Sequence, residues 1–87
     1  MFVSLYRNED TPIYEQLYKQ IKDKILSREI DAEEKLPSKR QLKDDLGISM
    51  TTIEHAYTML IDEGLIYSKD KSGYYTETIE GLKFEEK

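Results

Sequence analysis

"LPSKRQLKDDLGISMTTIEHAY", residues 36–57, holds two short helical patterns on either side of one glycine. Pro37 biases Leu36 toward an extended backbone, and Ser38 with Gln41 three residues on forms the pattern of a capping box. The helix opened there is expected to run to about Leu46, where Gly47 can take the left-handed conformation that stops it. Ile48 leads to Ser49, a second N-cap, and Ile53, Ala56, Tyr57 and Leu60 mark one face of a further helix ending at Gly64. A short connection containing glycine sets two such helices at roughly 90 to 120 degrees, so that the second projects from the body. The stretch is therefore expected to be a helix-turn-helix.

On the N-terminal side, "DTPIYEQLYKQIKDKILSRE" predicts a helix, with Asp10 or Thr11 as N-cap and Pro12 in the first turn, where its missing N–H costs nothing. Ile13, Leu17, Ile21 and Ile25 recur every fourth residue, flanked by Tyr14, Tyr18 and Leu26, and make an apolar stripe that needs a partner surface. "IDAEEKLP" has no sustained period and is expected to connect. On the C-terminal side, "LIYSKDKSGYYTE" switches to an alternating pattern around a four- or five-residue turn, which predicts a β-hairpin. Tyr74 and Tyr75 must point to opposite faces of their strand, so only one can be core. The tyrosines on the apolar stripes (Tyr14, Tyr18, Tyr57) are expected in the core rather than as stacking platforms. The fold class is mainly α with a small β-hairpin: a winged helix-turn-helix of three helices and a two-stranded wing. It is expected over residues 10–76, between an N-terminal arm at 1–9 and a tail or linker at 77–87.

Eighty-seven residues allow one small domain. With no cysteine and a single histidine, a disulfide framework or a Cys/His metal cluster is not expected, and no nucleophile, base and orienter share a defining spacing, so no enzymatic function is predicted. The longest apolar run falls far short of the about 20 residues of a membrane span, and no leader pattern opens the chain. An intracellular protein with no membrane partner is the expectation.

Net charge is −5, yet its distribution is uneven. Residues 35–43 carry four basic and no acidic side chains, whereas residues 44–64 carry five acidic and no basic ones. Contact with phosphate should therefore centre on Lys35, Lys39, Arg40 and Lys43. Lys39 and Arg40 open a helix whose N-terminus is already partly positive, a place that favours acidic side chains unless an anion is to be bound there.

The segments "PIYEQLYKQIKDKIL", "KLPSKRQLKDDLGIS", "TTIEHAYTMLIDEGLIY" and "SGYYT" resemble the N-terminal DNA-binding domain of GntR-family bacterial transcription regulators over about residues 5–77. The resemblance implies sequence-specific binding of a palindromic double-stranded operator by a homodimer, and a larger C-terminal domain after this one. "AY..L...G" with "SGYY" looks most like the MocR branch, whose C-terminal part is aminotransferase-like and holds pyridoxal phosphate. The YtrA branch, with a short dimerising C-terminal part, is second. No cofactor is expected in these 87 residues, because the lysine that anchors pyridoxal phosphate would lie in the following domain.

The resemblance also implies the contacts. Arg40 and Lys39 would hold phosphate, and Ser49, Met50, Thr51 and Thr52 would open the recognition helix, about 49–63, in the major groove. Helical geometry turns Thr51, Glu54, His55 and Thr58 outward, which puts His55 beside the groove as a phosphate or base neighbour. Lys69, Lys71, Ser72 and Gly73 surround a wing tip expected to enter a neighbouring groove. Met50 and Glu54 stand where the family commonly has arginine. Methionine can meet only an apolar edge such as a thymine methyl, and a carboxylate can only accept, as from cytosine N4. Glu54 is expected to orient Arg40 or another basic side chain. The alternative is a winged helix that binds protein rather than DNA, favoured by the net charge and by these two residues.

Overall fold

The computed structural model describes residues 3–7, 10–69 and 73–78. Three helices, α1 (Ile13–Leu26), α2 (Lys39–Leu46) and α3 (Met50–Asp62), are followed by β1 (Ile66–Lys69) and β2 (Gly73–Thr76), which pair antiparallel with Tyr67 opposite Tyr75. This is the expected winged helix-turn-helix. α1 lies against α3, and the stripe read from the sequence is what they share. Leu17, Ile21 and Ile25 meet Ile53, Ala56, Tyr57 and Leu60, and all seven are buried. Truncating any one of the fully enclosed Leu or Ile side chains to alanine costs about 2–5 kcal/mol.

The start of α1 differs from expectation. Pro12 itself is the N-cap, and no side chain caps the helix. The extended Pro12 (ψ 152°) turns its carbonyl inward to accept from the Glu15 and Gln16 N–H groups. Gln16 serves the segment in another way, since its Nε2 donates to the carbonyls of Thr11 and Tyr6 while its Oε1 accepts from Tyr6 N–H. One turn on, Gln20 grips the backbone N–H and carbonyl of Ser4 in the same manner. The arm at residues 3–7 is thereby laid along α1, with Val3 and Leu5 packed on the core.

The segment before α2 does more than connect. Lys35 bridges to Tyr75, Leu36 N–H donates to Tyr74 O (2.8 Å), and Thr76 N–H donates to Glu34 O (3.0 Å), so the segment edges the wing as a short third pairing. Thr76, fully buried, donates its hydroxyl to Asp31 O and accepts from Glu34 N–H. Beyond β2, Glu77 N–H still reaches Leu65 O (3.0 Å). The rest of the expected tail, from residue 79, lies outside the described residues, as do Lys71 and Ser72 of the wing tip.

Candidate nucleic-acid interface

Both helices of the helix-turn-helix begin as their sequences require. Ser38 Oγ accepts from Gln41 N–H (3.0 Å), and Ser49 Oγ accepts from Thr52 N–H (3.1 Å). Between them Gly47 sits at φ +67° and donates its N–H to Lys43 O. Neither helix has an acidic residue in its first turn, so both exposed N-termini keep their positive character. Tyr57 fixes their relation: from the core of α3 its hydroxyl donates to Pro37 O (2.7 Å), directly ahead of α2. Burial pushes its ionisation well above the ordinary tyrosine range, and the neighbouring Tyr74 adds to this, so it remains a donor.

Among the described residues Arg40 is exposed and has no ion pair or hydrogen bond, which leaves its guanidinium available to an anion. Lys39 is placed differently. Its Nζ is 3.6 Å from Glu54 Oε2 and 5.4 Å from the centre of the Tyr74 ring. The Tyr74 hydroxyl first, and the Glu54 carboxylate with it, hold the Lys39 ammonium above its ordinary pKa against the opposing effect of burial. The basic partner expected for Glu54 is thus Lys39, not Arg40.

On α3, Thr51, Glu54, His55 and Thr58 are exposed, as the helical projection requires. Their surroundings are unequal. Thr51 faces out with no side-chain partner among the described residues. The Thr52 hydroxyl lies 2.8 Å from that of Ser49, so these two hydroxyls form the cap itself. Met50 is half-buried, and His55 stacks on Tyr14 at 3.7 Å with the rings 9° from parallel. That stack corrects the expectation for Tyr14. Position 14 lies on the shoulder of the apolar stripe, so the ring closes the rim between α1 and α3 instead of entering the core.

At the wing, Tyr74 packs edge-on against Tyr57 (4.9 Å) while Tyr75 stacks on Tyr67 (6.0 Å) on the outer face, the division that strand alternation demands. Lys69 lies over Tyr75 at 5.5 Å. Gly73, at φ +123°, has Lys35 Cε 3.3 Å from where a β-carbon would stand, so the Lys35 side chain lies against the turn end of the wing rather than at the start of α2. Sequence reading also missed Arg7, whose Nη2 donates to Gly47 O (3.0 Å) and brings the arm to the helix-turn-helix turn. The available signal was the pair Gln16 and Gln20, one turn apart on the shoulder of an apolar stripe, with Val3 and Leu5 alternating upstream.

Among the described residues no group of His, Cys, Asp or Glu could hold a metal ion, and no helix is long and apolar enough to cross a membrane. What the molecule presents is a pair of capped helix N-termini, a projecting α3 and a wing, the architecture of a winged helix-turn-helix regulator. The sequence pattern described as "Bacterial regulatory proteins, gntR family" matches residues 13–75. The HTH-type transcriptional regulator YdeL of Bacillus subtilis is 45% identical over 73 residues, 84% of this chain and 16% of YdeL. The probable rhizopine catabolism regulatory protein MocR of Rhizobium meliloti is 35% identical over 75 residues, 86% of this chain and 15% of MocR. Among solved structures, YtrA of Sulfolobus acidocaldarius, a GntR-family transcription factor, superposes with a TM-score of 0.83 at 36% identity, over 90% of this chain and 82% of that one. AraR(DBD) in complex with operator ORE1 does so with a TM-score of 0.72 at 28% identity, over 87% and 93%.

The chain belongs to the gntR family of bacterial regulatory proteins, of which it forms the winged-helix domain. Its relatives and its fold are those of transcription regulators, not of enzymes. It spans about a sixth of the length of the curated relatives YdeL and MocR.

Proposed function

We propose that this domain reads a double-stranded operator sequence-specifically, with α3 in the major groove, Arg40 on a flanking phosphate and the wing at Lys69 and Gly73 in the neighbouring groove. The observation that carries this reading is the exposed, unpaired Arg40 at the N-terminus of α2, one helix-turn-helix turn from the exposed Thr51 at the start of α3. Guanidinium, backbone N–H groups and helix dipole there converge on one anion. Ser49 and Thr52 act on DNA chiefly by holding the first turn of α3 in shape. Met50 meets an apolar base edge, and His55, propped by Tyr14, borders the groove. The likeness to AraR(DBD) seated on its operator supports the arrangement.

The operator is palindromic and the full-length protein a homodimer, since one domain with about four to six phosphate contacts binds weakly and salt-sensitively on its own. Such a regulator works in the cytoplasm, on the bacterial chromosome. The likeness to MocR, of which this chain covers 15%, favours a MocR-like protein, whose pyridoxal phosphate would be held entirely by a following domain.

The test is selection of sites from a random-sequence duplex pool by a tethered dimer of the domain, followed by titration of the selected duplex at low and moderate salt beside Arg40→Ala. Arg40→Ala should weaken binding to all sequences and shallow the salt dependence by about one phosphate contact. If no sequence is enriched, or Arg40→Ala binds as wild type does, the protein-binding reading replaces this one.

A further inference from the structure

Lys39 was expected to hold phosphate, yet the structure gives its ammonium an anion already. Its stem lies where α2, α3 and the wing meet, beside a Tyr74 ring that is itself seated on Tyr57. From there Nζ points to Glu54 Oε2, 3.6 Å away on the exposed face of α3. Side-chain exposures of 29% and 52% keep both charges in contact with water. A pair so exposed to water is weak and yields to a second anion.

We infer that Glu54 is a built-in competitor for the phosphate site at the N-terminus of α2, holding Lys39 away from the DNA backbone until a base offers the freed carboxylate a donor. The inference rests on the DNA-binding reading above. A phosphodiester and a carboxylate carry the same single charge, so they compete for one ammonium on equal terms. A duplex that displaces Glu54 gains one phosphate contact. It also leaves a carboxylate at the groove, which repels phosphates unless it accepts from an amino group such as cytosine N4. Non-specific DNA gains little from that exchange, whereas a sequence with a donor at the right step keeps both contacts. Glu54 is thus a specificity-determining residue that acts partly by suppressing binding to wrong sequences.

The test is a double-substitution cycle on the 87-residue chain, read as affinity for a short random-sequence duplex over a range of salt. Glu54→Gln should bind several-fold tighter at low salt and steepen the plot of log affinity against log salt by about 0.9, one phosphate. In the Lys39→Gln background the same substitution should leave the slope as it was, because no ammonium is there to be released. Equal steepening in both backgrounds, or no change on Glu54→Gln in the Lys39 protein, overturns the competitor role. Binding that is lost on Arg40→Ala but shows no coupling between Lys39 and Glu54 sinks this inference alone. If none of the variants binds duplex at any salt, the DNA-binding reading falls with it.

Discussion

Thr76 shows how much one side chain can settle. Its hydroxyl satisfies Asp31 O and Glu34 N–H at once in a fully enclosed position, joining the wing to the segment that leads into α2. Thr76→Val preserves the shape and strands both backbone groups, which should cost about 1–3 kcal/mol in chemical denaturation, while Thr76→Ser keeps the hydroxyl and should lose less. Glu63, just past α3, is a charged counterpart. Tyr18 Oη donates to its Oε2 (2.5 Å), and Lys22 Nζ forms an ion pair with Oε1 at 3.1 Å. The Tyr18 hydrogen bond first, and Lys22 after it, hold the Glu63 carboxyl below its ordinary 4.5 against desolvation. A depressed carboxylate stabilises the fold above its unfolded pKa and loses that contribution as pH falls through the folded value. Below pH 4.5, therefore, denaturation midpoints of wild type should fall more steeply with acidification than those of Glu63→Gln. Parallel profiles would show that Glu63 is not coupled to folding.

At the scale of elements, α1 is a platform as well as a core helix. Gln16 and Gln20, spaced by one turn, each take the N–H and the carbonyl of one arm residue, as a neighbouring strand would, and so order residues 3–7 without forming a sheet. Replacing both by alanine should release the arm. The expected signature in hydrogen exchange is loss of protection at the Ser4 and Tyr6 amides with that of Leu17 and Ile21 retained, and the stability loss should be about 0.5–1.5 kcal/mol for each hydrogen bond broken. Release would also free Arg7 from Gly47 O. If the arm amides stay protected, the packing of Val3 and Leu5 is enough to hold it.

For the molecule as a whole, charge placement matters more than charge sum. A net charge of −5 opposes indiscriminate binding to nucleic acid. Basic side chains nevertheless stand at the wing, Lys35 and Lys69, and at the start of α2, Arg40. A single domain so equipped should bind weakly, and joining two copies through a dimerising segment turns the second contact into an intramolecular one. On a selected palindromic site the dimer should bind about 100-fold or more tighter than the isolated domain, as read by anisotropy titration. An equal affinity of monomer and dimer would mean that the operator has a single half-site.

The sequence by itself determined the order of elements, because stop and start signals there are local. Ser38, Gly47 and Ser49 cap and break helices by bonds to residues three or four positions away, and the stripe from Ile13 to Ile25 needs only helical periodicity to be seen. It also determined the outward face of α3, with Thr51, Glu54, His55 and Thr58. Sequence patterns alone left the start of α1 one residue astray and put Tyr14 inside, because a position on the shoulder of a stripe can turn either way until its neighbour is known. Only the tertiary structure decided the partners: Lys39 with Glu54, Lys35 with the wing, His55 with Tyr14, and the arm with α1. Those contacts join segments distant along the chain, and their geometry follows from how α1, α3 and the wing pack on one core, which no local pattern encodes.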